Sequence, residues 1–242
     1  MYINDIHILY YLLIGLLGLG VGQFIDWCNL RMPEYKKIFS KEIRIYLKNL
    51  KPNYILMFLT SAIYIALLYM NGNSIVLYKF LLLTPMLISA FVIDYRHQII
   101  PNRLNLTIFE VGLGFTFIEG MQNINVAINM LLGAVVGAGI FMLITIIGRY
   151  IAGKEAMGLG DVKFMGALGL YFGWVNMIII SLISFLIGAI ICIGILITKG
   201  KKAAEYIAFG PFIVLATFIV IFVPFPILFN SLLKVFTLGM YR

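Results

Sequence analysis

Residues 75–103 read IVLYKFLLLTPMLISAFVIDYRHQIIPNR, an apolar run that ends on an aspartate and a basic turn. A bilayer core about 30 Å thick takes roughly 20 apolar residues per helix, and 75–93 fits that ruler. Applied outward, the same ruler predicts eight spans near 8–26, 53–70, 75–93, 104–119, 125–147, 162–175, 177–198 and 207–228. The fourth and sixth are short and interrupted by glycine. The expected fold is therefore all-α, a polytopic helical bundle integral to a membrane. Composition agrees: 62% of the 242 residues are hydrophobic and 12% charged, against about 25% charged in soluble domains.

Short cytoplasmic loops carry an excess of Lys and Arg. The segment 27–52 holds Arg31, Lys36, Lys37, Lys41, Arg44, Lys48 and Lys51, whereas Asn71-Gly72-Asn73-Ser74 holds no base. Residues 94–103 bring Arg96 and Arg103, the turn from Glu119 to Asn125 brings none, and 148–163 bring Arg149, Lys154 and Lys163. This alternation predicts an external N-terminus, internal basic loops and a multi-pass protein of the cytoplasmic membrane. Lys199, Lys201 and Lys202 fall inside only if the short segment 162–175 crosses, so parity requires the sixth span. The net charge of +8 is thereby assigned to orientation, and no basic domain remains for nucleic acid. In loop 27–52, Ile38, Ile43, Ile45, Leu47 and Leu50 alternate with the charges, which predicts a short amphipathic helix lying on anionic membrane lipid.

Glycines four apart at Gly18/Gly22, Gly133/Gly137 and Gly169/Gly173 predict close helix approach. Cys28 and Cys192 are too few and too far apart for a disulfide framework or a zinc pair, and no metal site is expected. MYINDIHI has neither a base nor a following cleavage signature, so the first apolar segment is expected to stay.

An acidic residue at the edge of a span is a functional candidate by default. Asp94 ends the third span, and Asp161 opens the sixth after Met157-Gly158-Leu159-Gly160. Two converging carboxylates make an aspartic-protease pair, one protonated to polarise the scissile carbonyl and one ionised to activate water. The glycines would give a tight turn and let a substrate backbone come close. Structural roles stand beside this: Asp161 as a helix cap, Asp94 as a partner of Arg96, Arg103 or Lys163, and Asp26 as a structural carboxylate. HExxH and GxSxG are absent, which removes zinc and serine peptidases of those types. A cation channel or carrier using the same acids remains the alternative.

Asp94-Tyr95-Arg96-His97-Gln98-Ile99-Ile100-Pro101-Asn102, Glu155-Ala156-Met157-Gly158-Leu159-Gly160-Asp161-Val162-Lys163 and the following Gly166 to Trp174 together make a specific pattern. Phe209-Gly210-Pro211-Phe212 and Gly22 to Pro33 add to it. The chain resembles the type IV prepilin peptidases, the GxGD class of membrane aspartic proteases. That resemblance implies Asp94 and Asp161 as catalytic residues, supported by Gly158, Gly160, Lys163 and Pro101. It implies cleavage of type IV prepilin or pseudopilin precursors without a cofactor, just after a Gly and at the cytoplasmic membrane face. Many members also methylate the new N-terminus from S-adenosylmethionine, an activity assigned to the N-terminal region, here 1–52, ahead of a peptidase core at 53–242. Arg31 is the expected anchor for that cofactor. Gln23 and Asp26 replace the Ser and Asn usual in the family, and the two CxxC pairs that bind zinc in many members are missing.

Overall fold

The structure is a computed structural model that describes residues 2–4, 6–38, 42–48, 51–153, 157–199 and 207–236. Lys41, Leu50, Lys154, Glu155, Ala156, Lys201 and Lys202, named above, lie outside the described residues.

A two-residue antiparallel ribbon, β1 (Tyr2–Ile3) and β2 (Ile6–His7), leads into α1 (Ile8–Arg31). Then come α2 (Glu42–Lys48), α3 (Tyr54–Asn71), α4 (Ile75–His97), α5 (Asn102–Gln122), α6 (Ile124–Ala152), α7 (Leu159–Lys199), α8 (Gly210–Phe222) and α9 (Phe225–Phe236). Six of the described helices are long and apolar enough to cross a membrane. With α7 divided at its break and the shorter apolar α8 added, the segments number eight among the described residues. The protein is a multi-pass membrane protein.

The chain forms two compact units, Met1–Leu104 and Asn105–Arg242. In the first, α1 lies against α3 through the glycines. A Cβ on Gly18 would meet the Ser61 Cα at 2.6 Å, and one on Gly22 would meet the Met57 Cα at 2.5 Å. Such closeness is what small residues permit in lipid, where packing has no hydrophobic drive behind it. Pro85 interrupts the ladder of α4, because it has no N–H to give to the Leu81 carbonyl. The Tyr64 hydroxyl of α3 donates to that carbonyl instead, at 2.7 Å. The interruption is thus satisfied from a neighbouring helix, as an apolar surrounding demands.

In the second unit α6 and α7 meet backbone to backbone. Side chains at Gly133 or Gly169 would each collide with the other helix's main chain, and a Cβ on Gly137 would meet the Met165 carbonyl at 2.6 Å. Gly173 breaks α7 with φ 74° and ψ 170°, a conformation that favours glycine. A Cβ there would also strike the Asn129 amide at 2.5 Å. Carbonyls freed by the break find donors: Thr116 Oγ1 to Leu170 at 3.3 Å and Asn176 Nδ2 to Phe172 at 3.0 Å. The limb before Gly173 is about 21 Å long at 1.5 Å per residue. This break falls inside the span expected at 162–175, a few residues before the division expected at 176.

The final span differs from expectation. A single helix was expected over 207–228, whereas α8 ends at Phe222 and α9 begins at Phe225. Pro224 holds Val223 in an extended conformation (φ −108°, ψ 124°), since a residue preceding proline avoids the helical region. At the start of α8, Phe209 and Phe212 join Phe141 and Phe185 in an aromatic cluster with centroids 5.1–5.9 Å apart.

Candidate active site

Asp94 is only 4% exposed and sits in the last turn of α4. Its carbonyl accepts the N–H of Gln98 at 2.8 Å, with Gln98 in the left-handed region at φ 56°. That conformation stops the helix within a turn of the aspartate. Ile99 is exposed while Ile100 and Pro101 are buried, so the turn is pinned where it enters α5. Leu104 N–H closes onto the Pro101 carbonyl at 3.0 Å. Arg103 donates to the Tyr35 carbonyl at 3.0 Å and lies over the Tyr35 ring. The turns that follow α1 and α4 therefore share one end of the first unit.

Asp161 belongs to the second unit and is partly exposed. It is the third residue of α7, not the residue before the helix as the sequence suggested, because α7 starts at Leu159 rather than near 162. Its N–H bonds to the Gly158 carbonyl at 3.0 Å. A carboxylate in a first turn complements N–H groups that have no partner within the helix. Gly158 does not take a positive φ, and a Cβ there would make only ordinary contacts within the chain. The atoms nearest to a Cβ built there are the Asp161 Oδ2 at 3.7 Å and the Gly160 N at 3.9 Å. Gly160 offers its carbonyl to Asn105 Nδ2 at 3.0 Å. Lys163 is exposed two residues beyond. Gly158, Gly160, Asp161 and Lys163 thus share one helix start, while Asp94 and Pro101 share one helix end.

Arg31 lies at the end of α1, almost fully buried. Its Nε donates to the Lys37 carbonyl at 2.9 Å, Nη1 pairs with Glu42, and the guanidinium lies 4.7 Å from the Trp27 ring centre. Beside it Tyr46 donates to Asp26 Oδ2 at 3.0 Å and Asn53 Nδ2 donates to Asp26 Oδ1 at 2.8 Å. Gln23 donates to the Tyr46 hydroxyl and accepts the Asn53 N–H at 3.0 Å. Asp26 is accordingly a structural carboxylate. Gln23 and Asp26, with Arg31, fasten α2 and the start of α3 to α1. Burial first, then the bond to Asp26 and its charge, push the Tyr46 phenol up to about 12. The hydrogen bond from Arg31 holds Glu42 below its usual range, and Lys36 does the same for Glu34. Trp27, Arg31, Glu42 and Tyr46 line an open cleft of about 440 Å³.

A family profile described as the type IV leader peptidase family matches residues 81–193. The leader peptidase HopD of Escherichia coli is 32% identical over 135 residues, 55% of this chain and 84% of that protein. The chain belongs to the type IV leader peptidase family. Two further relatives of that kind are named prepilin leader peptidase/N-methyltransferase. The one from Aeromonas hydrophila is 32% identical over 139 residues, covering 57% of this chain and 47% of its own. The one from Legionella pneumophila is 36% identical over 152 residues, covering 62% and 52%. The chain spans about half the length of these two relatives. No solved structure matches it. The family match takes in both aspartate-bearing helix ends and stops short of the α1–α2 region, and these relatives lend no support to a cation carrier.

Sequence reasoning missed Asn105, Tyr46 and Tyr64. A polar residue within the apolar stretch Leu104-Asn105-Leu106 was a signal for the first. The other two are aromatic residues among many, and nothing in their spacing marks them.

Proposed function

We propose that this protein is an aspartic endopeptidase that removes the leader of type IV prepilin-like or pseudopilin precursors at the cytoplasmic membrane face, with Asp94 and Asp161 as its catalytic pair. The observation that carries this reading is the family match, which spans both aspartates and the turns that hold them. In the mechanism one carboxyl stays protonated and polarises the scissile carbonyl. The other, ionised, takes a proton from the attacking water, and the pair titrates as a unit. Gly158 carries no side chain to hold the substrate backbone away, the Gly160 carbonyl fixes the turn, Lys163 borders it, and Pro101 sets the turn after Asp94. Proteolysis needs no cofactor. The zinc of many family members does not fit here, because the chain lacks both CxxC pairs, and no group of three His, Cys, Asp or Glu among the described residues could hold a metal ion.

The first 52 residues serve N-methylation in this reading, and 53–242 the peptidase core. S-adenosylmethionine would be held at the cleft lined by Trp27, Arg31, Glu42 and Tyr46, where the exposed Glu42 carboxylate would offer acceptors to ribose hydroxyls. Arg31 shapes the cleft while engaged with Glu42 and Lys37. When bound, the cofactor supplies the methyl group for the new amino terminus.

The test uses purified protein in detergent, a synthetic prepilin and a metal chelator. Asp94→Asn and Asp161→Asn should each lower cleavage by at least about 100-fold with membrane insertion unchanged, and full cleavage by either variant overturns the pair. With S-adenosylmethionine present, mass spectrometry should show one added methyl on the product. Unmodified product at complete cleavage rejects the methylation reading.

A further inference from the structure

Asn105 is the fourth residue of α5 and 4% exposed, between Leu104 and Ile108, which are buried to 1% or less. Its amide faces the start of α7, where Nδ2 donates to the Gly160 carbonyl at 3.0 Å. A carbonyl needs a donor, so this bond fixes which way the amide is turned. The other half of the amide, Oδ1, is buried with no hydrogen-bond partner. Leaving a buried acceptor unsatisfied costs free energy, and an apolar residue of the same volume would avoid that cost. Bundle packing alone therefore does not account for an asparagine here. The packing is supplied elsewhere: Tyr171 bonds to the Ile108 carbonyl at 2.8 Å, Thr116 to Leu170, and Gly112 lies close against Leu170 and Tyr171. What Asn105 alone contributes is a neutral donor directed at the residue before Asp161.

We infer that Asn105 is a positioning residue for Asp161, holding the Gly160 carbonyl so that the first turn of α7 presents its carboxylate in one orientation. The inference rests on the peptidase reading for its effect on cleavage but not for its effect on Asp161 itself. A carbonyl inside a helix has a second lone pair free after its helical bond, and the Asn105 amide occupies it. The turn Gly158-Leu159-Gly160 carries two residues without side chains; the Asp161 N–H closes it onto the Gly158 carbonyl, and the Asn105 amide adds a bond from a second helix at Gly160. A small misplacement of a catalytic group costs rate more than it costs binding.

Three variants separate positioning from packing. Asn105→Leu keeps the volume and removes both the donor and the orphaned acceptor. Its melting temperature in detergent should be held or raised, while kcat on a synthetic prepilin falls 10-fold or more and KM changes less than 2-fold. Asn105→Ser keeps a shorter donor and should recover part of that kcat. Asn105→Asp keeps the shape but turns an acceptor on the Gly160 carbonyl, so it should do no better than Asn105→Leu. In parallel, carbodiimide labelling of Asp161, read by peptide mass spectrometry, should change in rate at least 3-fold in Asn105→Leu. Wild-type kcat together with unchanged labelling in Asn105→Leu overturns the inference. If the wild-type protein fails to cut prepilin, the peptidase reading fails instead, and the labelling still decides the role of Asn105.

Discussion

In Met1–Leu104 the joint between α1 and the loop that follows is made by side chains: Gln23, Asp26, Tyr46 and Asn53 in one group, Trp27, Arg31 and Glu42 in another. In Asn105–Arg242 Gly133, Gly137 and Gly169 bring the main chain of α6 against that of α7. A side-chain joint can lose one bond and keep the rest, whereas a backbone joint has no slack for a single added carbon. The difference follows from the surroundings. Within lipid a helix pair gains chiefly from close packing, while a polar loop at the membrane edge gains from hydrogen bonds that replace those to water.

The sharpest way to break this comparison is Gly169→Val. Its Cβ would fall on Gly133 and Ala134 main-chain atoms, which cannot rotate away, so the helices must separate. Overpacking a core costs about 1–3 kcal/mol where side chains can adjust, and a backbone collision should lie at or above the top of that range. Thermal unfolding in detergent should show a larger loss for Gly169→Val than for Tyr64→Phe or Glu42→Gln. A wild-type melting temperature would mean that α6 and α7 are not held as described.

A hydroxyl lost from the first unit should cost less. Tyr64→Phe leaves the Leu81 carbonyl without its donor because Pro85 supplies none. Unsatisfied buried acceptors cost about 1–3 kcal/mol, and hydrogen bonds within membranes average nearer 0.6 kcal/mol, so about 1 kcal/mol is expected. Pro85→Ala restores an N–H to the ladder, and in that background Tyr64→Phe should cost measurably less. Equal cost in both backgrounds would show that Tyr64 acts by packing alone. Such non-additivity is what a double-mutant cycle isolates.

These elements were legible to different degrees. Hydropathy and loop charge sufficed for the spans because lipid imposes one ruler on every helix, and parity recovered even the limb before Gly173. The end of α8 was not seen, since apolar residues continue through Val223-Pro224-Phe225 and mask a proline that does stop a helix. Asp94 and Asp161 stood out as acids at span edges. The partners of Gln23, Asp26 and Arg31 did not, because Tyr46 lies 20 residues from Asp26 and Glu42 lies 11 from Arg31. Long-range polar pairing leaves no period in a sequence.

The smallest expected effect concerns pH and the side-chain joint alone. Arg31 holds the Glu42 carboxyl below its usual 4.5. A depressed carboxyl contributes fully above the unfolded value and loses its contribution as pH falls through the folded one. Tyr46 behaves in the opposite sense. Its value is raised from 10.0 to about 12, so its contribution is complete below 10 and disappears as pH rises toward 12. The joint should therefore stay closed between about 4.5 and 10 and loosen on both sides, with no such dependence in the backbone joint of α6 and α7. Trp27, 4.8 Å from Tyr46 between ring centres, reports the change by fluorescence once Trp174 is replaced by Phe. Glu42→Gln should remove the acid limb of the titration and Tyr46→Phe the alkaline limb. Glu34, held down by Lys36 in the same loop, should leave the Trp27 signal unchanged when replaced by Gln. If both limbs persist in the double variant Glu42→Gln/Tyr46→Phe, they arise from other titrating groups, and the pH dependence of the joint does not rest on Glu42 and Tyr46.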